Sequence, residues 1–472
     1  MCGRIVQKSG PLDYVERIFP NPRRVFDDPA GPLYNIPPGT KPLTMHRLAG
    51  DFELERLHWG WRPHNSKYFT FLSKESPPSV KGTLKVTLAG FKNEHCCKVL
   101  RQINKEKTTM TGSDQLDLLN VFRALQTRRH AFSWNAVRTT LGARFSLPTA
   151  TGWDNLIQKY QALSPTHKHV AQGLAAAKET YKVSTHYGTR AVTIFDVGQS
   201  VATTLAKKTI SLLDSTSIFC TTYPYPVDGA TLERAPFNGA FVARTLSASD
   251  DSVRMIACSK RAYKERNTIN VGSLSQSTVN DLDGYDEVIG IKSGFVQAFD
   301  SIVVRPKDGT VEIHIDMCSP SPLSDADLTQ YTAYFVSILN DLVPPPANVQ
   351  KYLYRPRNLF GCVQKFYDDP AGNVISLGHA TGTNSVKEER MRKKSDDLRK
   401  EPFHQKGLAA IASTDIYAIK KAWPGELTML APTVSLPGKF SQAGAIDARI
   451  DFAIIENCSS KQDFMFAVAQ LR

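Results

Sequence analysis

The chain has 472 residues, 41% hydrophobic and 22% charged, with a net charge of +13 from 58 Lys and Arg against 45 Asp and Glu. That balance excludes wholesale disorder, collagen and a coiled coil, and the length suggests roughly two to four domains. No apolar run reaches the roughly 18 residues that span a bilayer; Tyr331 to Val343 comes nearest and is broken by Asn340 and Asp341. The start of the chain has no apolar stretch of the kind a secretory signal needs. Eight cysteines without a Cys-x-x-Cys pair are too few for a disulfide scaffold, so a reducing interior, cytoplasmic or nuclear, is expected. A basic chain points to a polyanion such as nucleic acid, or is simply a mildly basic enzyme.

In chain order, residues 1 to about 68 are rich in Pro, Gly and aromatics. Lys41 to His46 and Phe52 to His58 read as short strands between turns. Asp114 to Leu125, Asn155 to Leu163 and His169 to Tyr181 have helical spacing. Ala191 to Phe195 reads as a strand. Ser301 to Arg305 and Thr310 to Met317 flank Pro306-Lys307-Asp308-Gly309, a hairpin signature, because Asp-Gly supplies the angles of a tight turn. Asp325 to Leu342 reads as a helix capped by Ser324, and Pro344-Pro345-Pro346 cannot continue it. The polar run 381–405, with the charges of Lys387 to Lys400, reads as a solvated helix or a flexible basic segment. The expected class is α+β: a β-rich segment 1–110, a mixed α/β region 111–343 and a C-terminal region 344–472.

The sharpest chemical signal is Cys2, directly after the initiator Met. With Met1 removed, its α-amine and thiol share one short skeleton, and such a 1,2-aminothiol closes a thiazolidine ring on an aldehyde. The α-amine, with a pKa of about 7.7–8 against about 10.4 for lysine, is largely available near neutral pH. Arg4 is placed to favour the thiolate or to hold a phosphate, and Gly3 permits close approach. Trp59 and Trp61, two apart, share one side of a strand if they lie on one, and Arg62 adds a cation beside them. Stacking surfaces next to a cation suit a sequence-tolerant single-strand binder.

Met1-Cys2-Gly3-Arg4, Tyr34-Asn35-Ile36-Pro37 and Trp59-Gly60-Trp61-Arg62-Pro63 occur in that order. Together they resemble the SRAP family (SOS-response-associated peptidase), which captures abasic sites in single-stranded DNA. The resemblance implies a covalent thiazolidine between Cys2 and the abasic sugar, a DNA-facing role for Arg4, Asn35, Trp59, Trp61 and Arg62, and crosslinking or autopeptidase chemistry without cofactor or metal. It covers about 68 residues. Beyond them the family's Asn-Ala-Arg-x-Glu-Thr block is replaced by Phe71-Leu72-Ser73-Lys74-Glu75-Ser76. The family spacing from Cys97 lands on Glu106, the candidate acid–base carboxylate, without its usual Gly and Trp. No His-x-Arg-x-Pro string is present; His130, His167, His169 and His186 fall in the right order only.

Two other readings stand beside this one. The chain is a non-catalytic basic binder of nucleic acid or protein that carries a degenerate start of this family. Alternatively, Glu312, His314 and Asp316, which alternate along one strand, hold a divalent metal for hydrolysis, or else form the wet side of an amphipathic strand. No P-loop, Rossmann glycine pattern or Gly-x-Ser-x-Gly occurs, so ATP, NAD and serine-hydrolase chemistry have no support.

Overall fold

A computed structural model places the chain in two compact units, Met1–Gly90 and Phe91–Arg472. It describes residues 5–7, 33–36, 43–48 and 51–56 of the first. Of the second it describes 113–472, apart from 248–250, 270–273, 283–284, 286, 346–349, 383–384, 412 and 428. In the first unit the strands are short. β1 (Ile5–Gln7) pairs antiparallel with β2 (Leu33–Ile36), setting Ile5 opposite Ile36. β3 (Leu43–Leu48) and β4 (Asp51–Arg56) form a hairpin with Leu43 opposite Arg56.

The second unit opens with helices α1 (Ser113–Thr127), α2 (Trp134–Thr139), α3 (Trp153–Gln161) and α4 (Lys168–Tyr187). Their apolar faces meet around Phe122, Leu125, Leu156, Tyr160 and Val170, all fully buried. Next come β5 (Arg190–Asp196), α5 (Gln199–Lys208), α6 (Ile218–Thr222), α7 (Gly229–Arg234), β6 (Ala240–Leu246) and β7 (Val253–Ile269). They are followed by α8 (Gln276–Asp281), β8 (Val288–Arg305), β9 (Thr310–Asp316) and α9 (Asp325–Leu342). The chain continues through α10 (Gly361–Asp368), β10 (Asn373–Thr381), β11 (Val386–Arg390), α11 (Pro402–Ala409) and β12 (Thr414–Ala422). It ends with β13 (Thr433–Leu436), β14 (Ala453–Glu456) and α12 (Lys461–Ala469).

The ten strands among the described residues of this unit join one antiparallel sheet in the order β11-β10-β12-β13-β14-β5-β9-β8-β7-β6. The fold is therefore mixed α and β. Pro344-Pro345-Pro346 does follow the end of α9, yet strands from 111–343 and from 344–472 share the sheet, joined where Ala453 of β14 lies opposite Val192 of β5. No helix among the described residues is long and apolar enough to cross a membrane.

Local signals act where expected. Gly309 takes φ +64° at the end of the β8–β9 turn. Ser324 caps α9 in a reciprocal box, accepting the Asp327 N–H while the Asp327 carboxylate accepts that of Ser324. The run 381–405 is neither a single helix nor unstructured. It holds β11 at the sheet edge, a 3-10 turn at Leu398–Lys400 and the start of α11. Leu398 is buried, which pins the segment despite its charge.

β9 lies inside the sheet and is buried along its whole length. Val311, Ile313 and Ile315 pack against α5 and α9 through Leu205, Leu328, Phe335 and Leu339. The alternate face meets Phe464 of α12 and the Arg128 guanidinium, which follows α1 and also donates to Ser184 of α4. A wet side for Glu312, His314 and Asp316 is therefore wrong: all three are fully buried.

Candidate functional site

Cys2, Arg4, Trp59, Trp61, Arg62 and Glu106 lie outside the described residues. Asn35 lies within β2, in the pair that links the chain just after Cys2-Gly3-Arg4 to the Tyr-Asn-Ile-Pro block. Of the four histidines in family order, His130 is exposed, whereas His167 caps α4 by accepting the His169 N–H. His186 is buried, its Nε2 2.8 Å from the Tyr223 hydroxyl. Burial and then the nearby Arg254 and Arg190 cations lower its pKa to about 3, so the ring is neutral.

The Glu312–His314–Asp316 face is already saturated with cations. Glu312 accepts from Arg305 Nε at 2.7 Å, from Arg472 Nη2 at 2.6 Å, and lies 3.0 Å from His314 Nε2. Burial opposes its charge, but His314 and Arg305 outweigh that and hold its pKa far below the usual carboxylate range. Asp316 takes two bonds from Arg128 Nη2, at 3.0 and 3.1 Å, and the Phe299 N–H at 2.9 Å, with Arg190 3.7 Å away. Asp300, on β8, takes two bonds of 2.7 Å from Arg261 and one of 2.8 Å from the Asp316 N–H. Two guanidinium groups lie on each of Glu312 and Asp316, and those of Arg128, Arg190 and Arg305 are buried while Arg472 reaches solvent, so a dication would have to displace buried cations. The metal-hydrolysis reading is overturned on that ground. The seam instead joins Arg128 after α1, β5, β7, β8, β9 and Arg472.

A second set of acid and histidine residues lies at the other end of the sheet. In the β10–β11 pairing Leu377 lies opposite Glu389 and His379 opposite Lys387, so His379 and Glu389 are diagonal neighbours on one face. On the other side of β10 the register with β12 slips between Gly378 and His379, leaving Tyr417 as the extra residue. The Tyr417 ring lies so close over Gly378 that a Cβ there would meet it at 2.6 Å.

Helix α11 brings the third group. Glu401 caps it by accepting the His404 N–H at 2.7 Å, and Pro402 suits its first turn. His404 is thus fixed over the β10–β11 face. Arg399 ties the preceding segment to the Asp397 carboxylate and to the carbonyls of Tyr367 and Gly372.

Both imidazoles meet one oxygen. His379 Nε2 lies 2.8 Å and His404 Nδ1 2.9 Å from Glu389 Oε1. The Tyr367 hydroxyl is 2.9 Å from His404 Nε2, whereas His379 Nδ1 is buried without a partner. Burial would raise the Glu389 pKa, but the bonds from His404 and His379 outweigh it and keep the carboxylate ionised below its ordinary range. None of these three residues stands out in the sequence, where the metal candidate lies on Glu312, His314 and Asp316. Gaps of ten and fifteen positions across two strands and a helix form no local motif.

Buried thiols are poor nucleophiles here. Burial pushes Cys318 up to about 12 and raises Cys258, Cys362 and Cys458 as well, which keeps them protonated. Comparison with protein families and with curated proteins gives no match.

Proposed function

We propose that the chain captures abasic sites in single-stranded DNA through Cys2. After loss of Met1, the α-amine attacks the open-chain sugar aldehyde and expels one water to give an imine. The Cys2 thiolate then adds to the imine carbon, and the nitrogen takes the proton, closing the thiazolidine. Arg4 holds a flanking phosphate, Asn35 contributes to DNA binding, Trp59 and Trp61 stack on bases beside Arg62, and Glu106 supplies acid–base assistance. The observation that carries this reading is the ordered set of three blocks, Met1 to Arg4, Tyr34 to Pro37 and Trp59 to Pro63. It is supported by the β1–β2 pairing, which sets the residue after Arg4 opposite Ile36, next to Asn35.

Intact mass spectrometry tests it. Full chain incubated with an abasic oligonucleotide should gain the mass of the DNA less one water, and the unreacted chain should lack Met1. Cys2→Ala should form no such adduct. Wild type and Cys2→Ala behaving alike would refute capture. DNA binding without adduct would leave the non-catalytic basic binder in its place.

A further inference from the structure

We propose that His379, Glu389 and His404 bind one zinc ion, with a fourth position open to water. Three side chains from β10, β11 and α11 present ligand atoms that all lie within 4.8 Å of one another. Two neutral imidazoles and one carboxylate are a donor set that zinc takes at sites keeping an exchangeable position. Ligands bound at 2.0–2.2 Å in a tetrahedron stand about 3.3 Å apart. The two nitrogens are now 2.8 and 2.9 Å from Glu389 Oε1, so each contact needs to open by only about half an ångström.

The surroundings distinguish this cluster from the charge seam on β9. Glu389 has no Arg or Lys partner among the described residues; both its neighbours are histidines. A cation at this point displaces no buried guanidinium. For the lone pairs of His379 Nε2 and His404 Nδ1 to face the ion, each ring must carry its proton on the other nitrogen, and the two nitrogens, within 4.8 Å of each other, must also draw together. For His404 the Tyr367 oxygen then accepts the Nε2 proton, which fixes the tautomer as an outer partner does in metal sites. His379 has no hydrogen bond on Nδ1 to hold it in the opposite tautomer. The two imidazoles are almost fully buried, with side-chain exposures of 4% and 1%, while Glu389 keeps 19%. The open position therefore lies on the side of Glu389.

Full-length protein stripped with EDTA and titrated with Co(II) as a zinc surrogate should develop visible d–d bands without the near-ultraviolet charge transfer of a cobalt thiolate. Competition with a chromophoric chelator should give one zinc per chain at this site. Tyr367→Phe, which leaves the ligands in place, should weaken zinc about 10–100-fold. Glu389→Gln and His404→Ala should weaken it further. Circular dichroism checks the fold of each variant, and if His404→Ala does not fold, Glu389→Gln decides, because its side chain is partly exposed. Absence of the bands, or bands and zinc affinity unchanged in Glu389→Gln, would overturn the proposal. So would a thiolate charge-transfer band surviving that substitution, which would place the ion on cysteine.

Discussion

The same residue types, carboxylates beside histidines, occur twice in the large sheet, and their neighbours give them opposite characters. On β9, Glu312 and Asp316 each face two arginines, and His314 is a neutral buried ring whose pKa is held near 4 by burial, against the pull of Glu312. On β10 and β11, Glu389 faces only His379 and His404. Residue identity and spacing do not make a site; the uncompensated charge does. The seam spends its carboxylates on holding helices to the sheet, and the edge cluster keeps one available.

The largest expected effect breaks the seam. Asp316→Ala leaves Arg128 and Arg190 buried without their carboxylate and should cost about 3–5 kcal/mol in urea unfolding. A loss below about 1 kcal/mol would show that those cations reach water and that the seam does not brace the fold.

On the other side of the comparison, zinc at a hundred times its dissociation constant should stabilise the chain by about 2.7 kcal/mol. That gain should vanish in Glu389→Gln and persist in Glu312→Gln measured against its own metal-free baseline.

Acid should act through the buried rings. His186 and His314 titrate near 3 and 4 when folded and near 6.5 when unfolded, so the unfolded chain binds more protons between those values. Stability is present above the unfolded pKa of about 6.5 and is lost as pH falls through 4 for His314 and toward 3 for His186. Going from pH 6.5 to 5 should cost about 1.6 kcal/mol per histidine. His186→Gln and His314→Gln should each flatten the profile, and a flat wild-type profile would mean the rings are not held neutral. The smallest change lies outside both sites: Ser324→Ala removes the α9 cap and should cost about 1 kcal/mol without altering zinc binding.

What was legible in the sequence was local. Asp308-Gly309 marked the β8–β9 turn and Ser324 the start of α9, because turn angles and caps depend on residues a few positions apart. The alternation of Glu312, His314 and Asp316 with Val311, Ile313 and Ile315 correctly separated two faces of a strand. It could not show that Arg128 just after α1, arginines of β5 and β8, and Arg472 cover the polar one. The charges of Lys387 to Lys400 hid an edge strand, since edges are where a charged strand is tolerated. His379, Glu389 and His404 meet only through the β10–β11 register and the seating of α11, neither of which leaves a periodic trace. The Cys2 constellation is the converse: three blocks visible in the sequence, with Cys2 and both tryptophans outside the described residues.

The most direct measurement is the zinc content of the purified full chain after dialysis against a weak chelator, with His404→Gln and His314→Gln alongside. Wild type and His314→Gln should retain one zinc at the edge cluster, and His404→Gln should lose it. Zinc lost with His314 and retained without His404 would contradict that expectation.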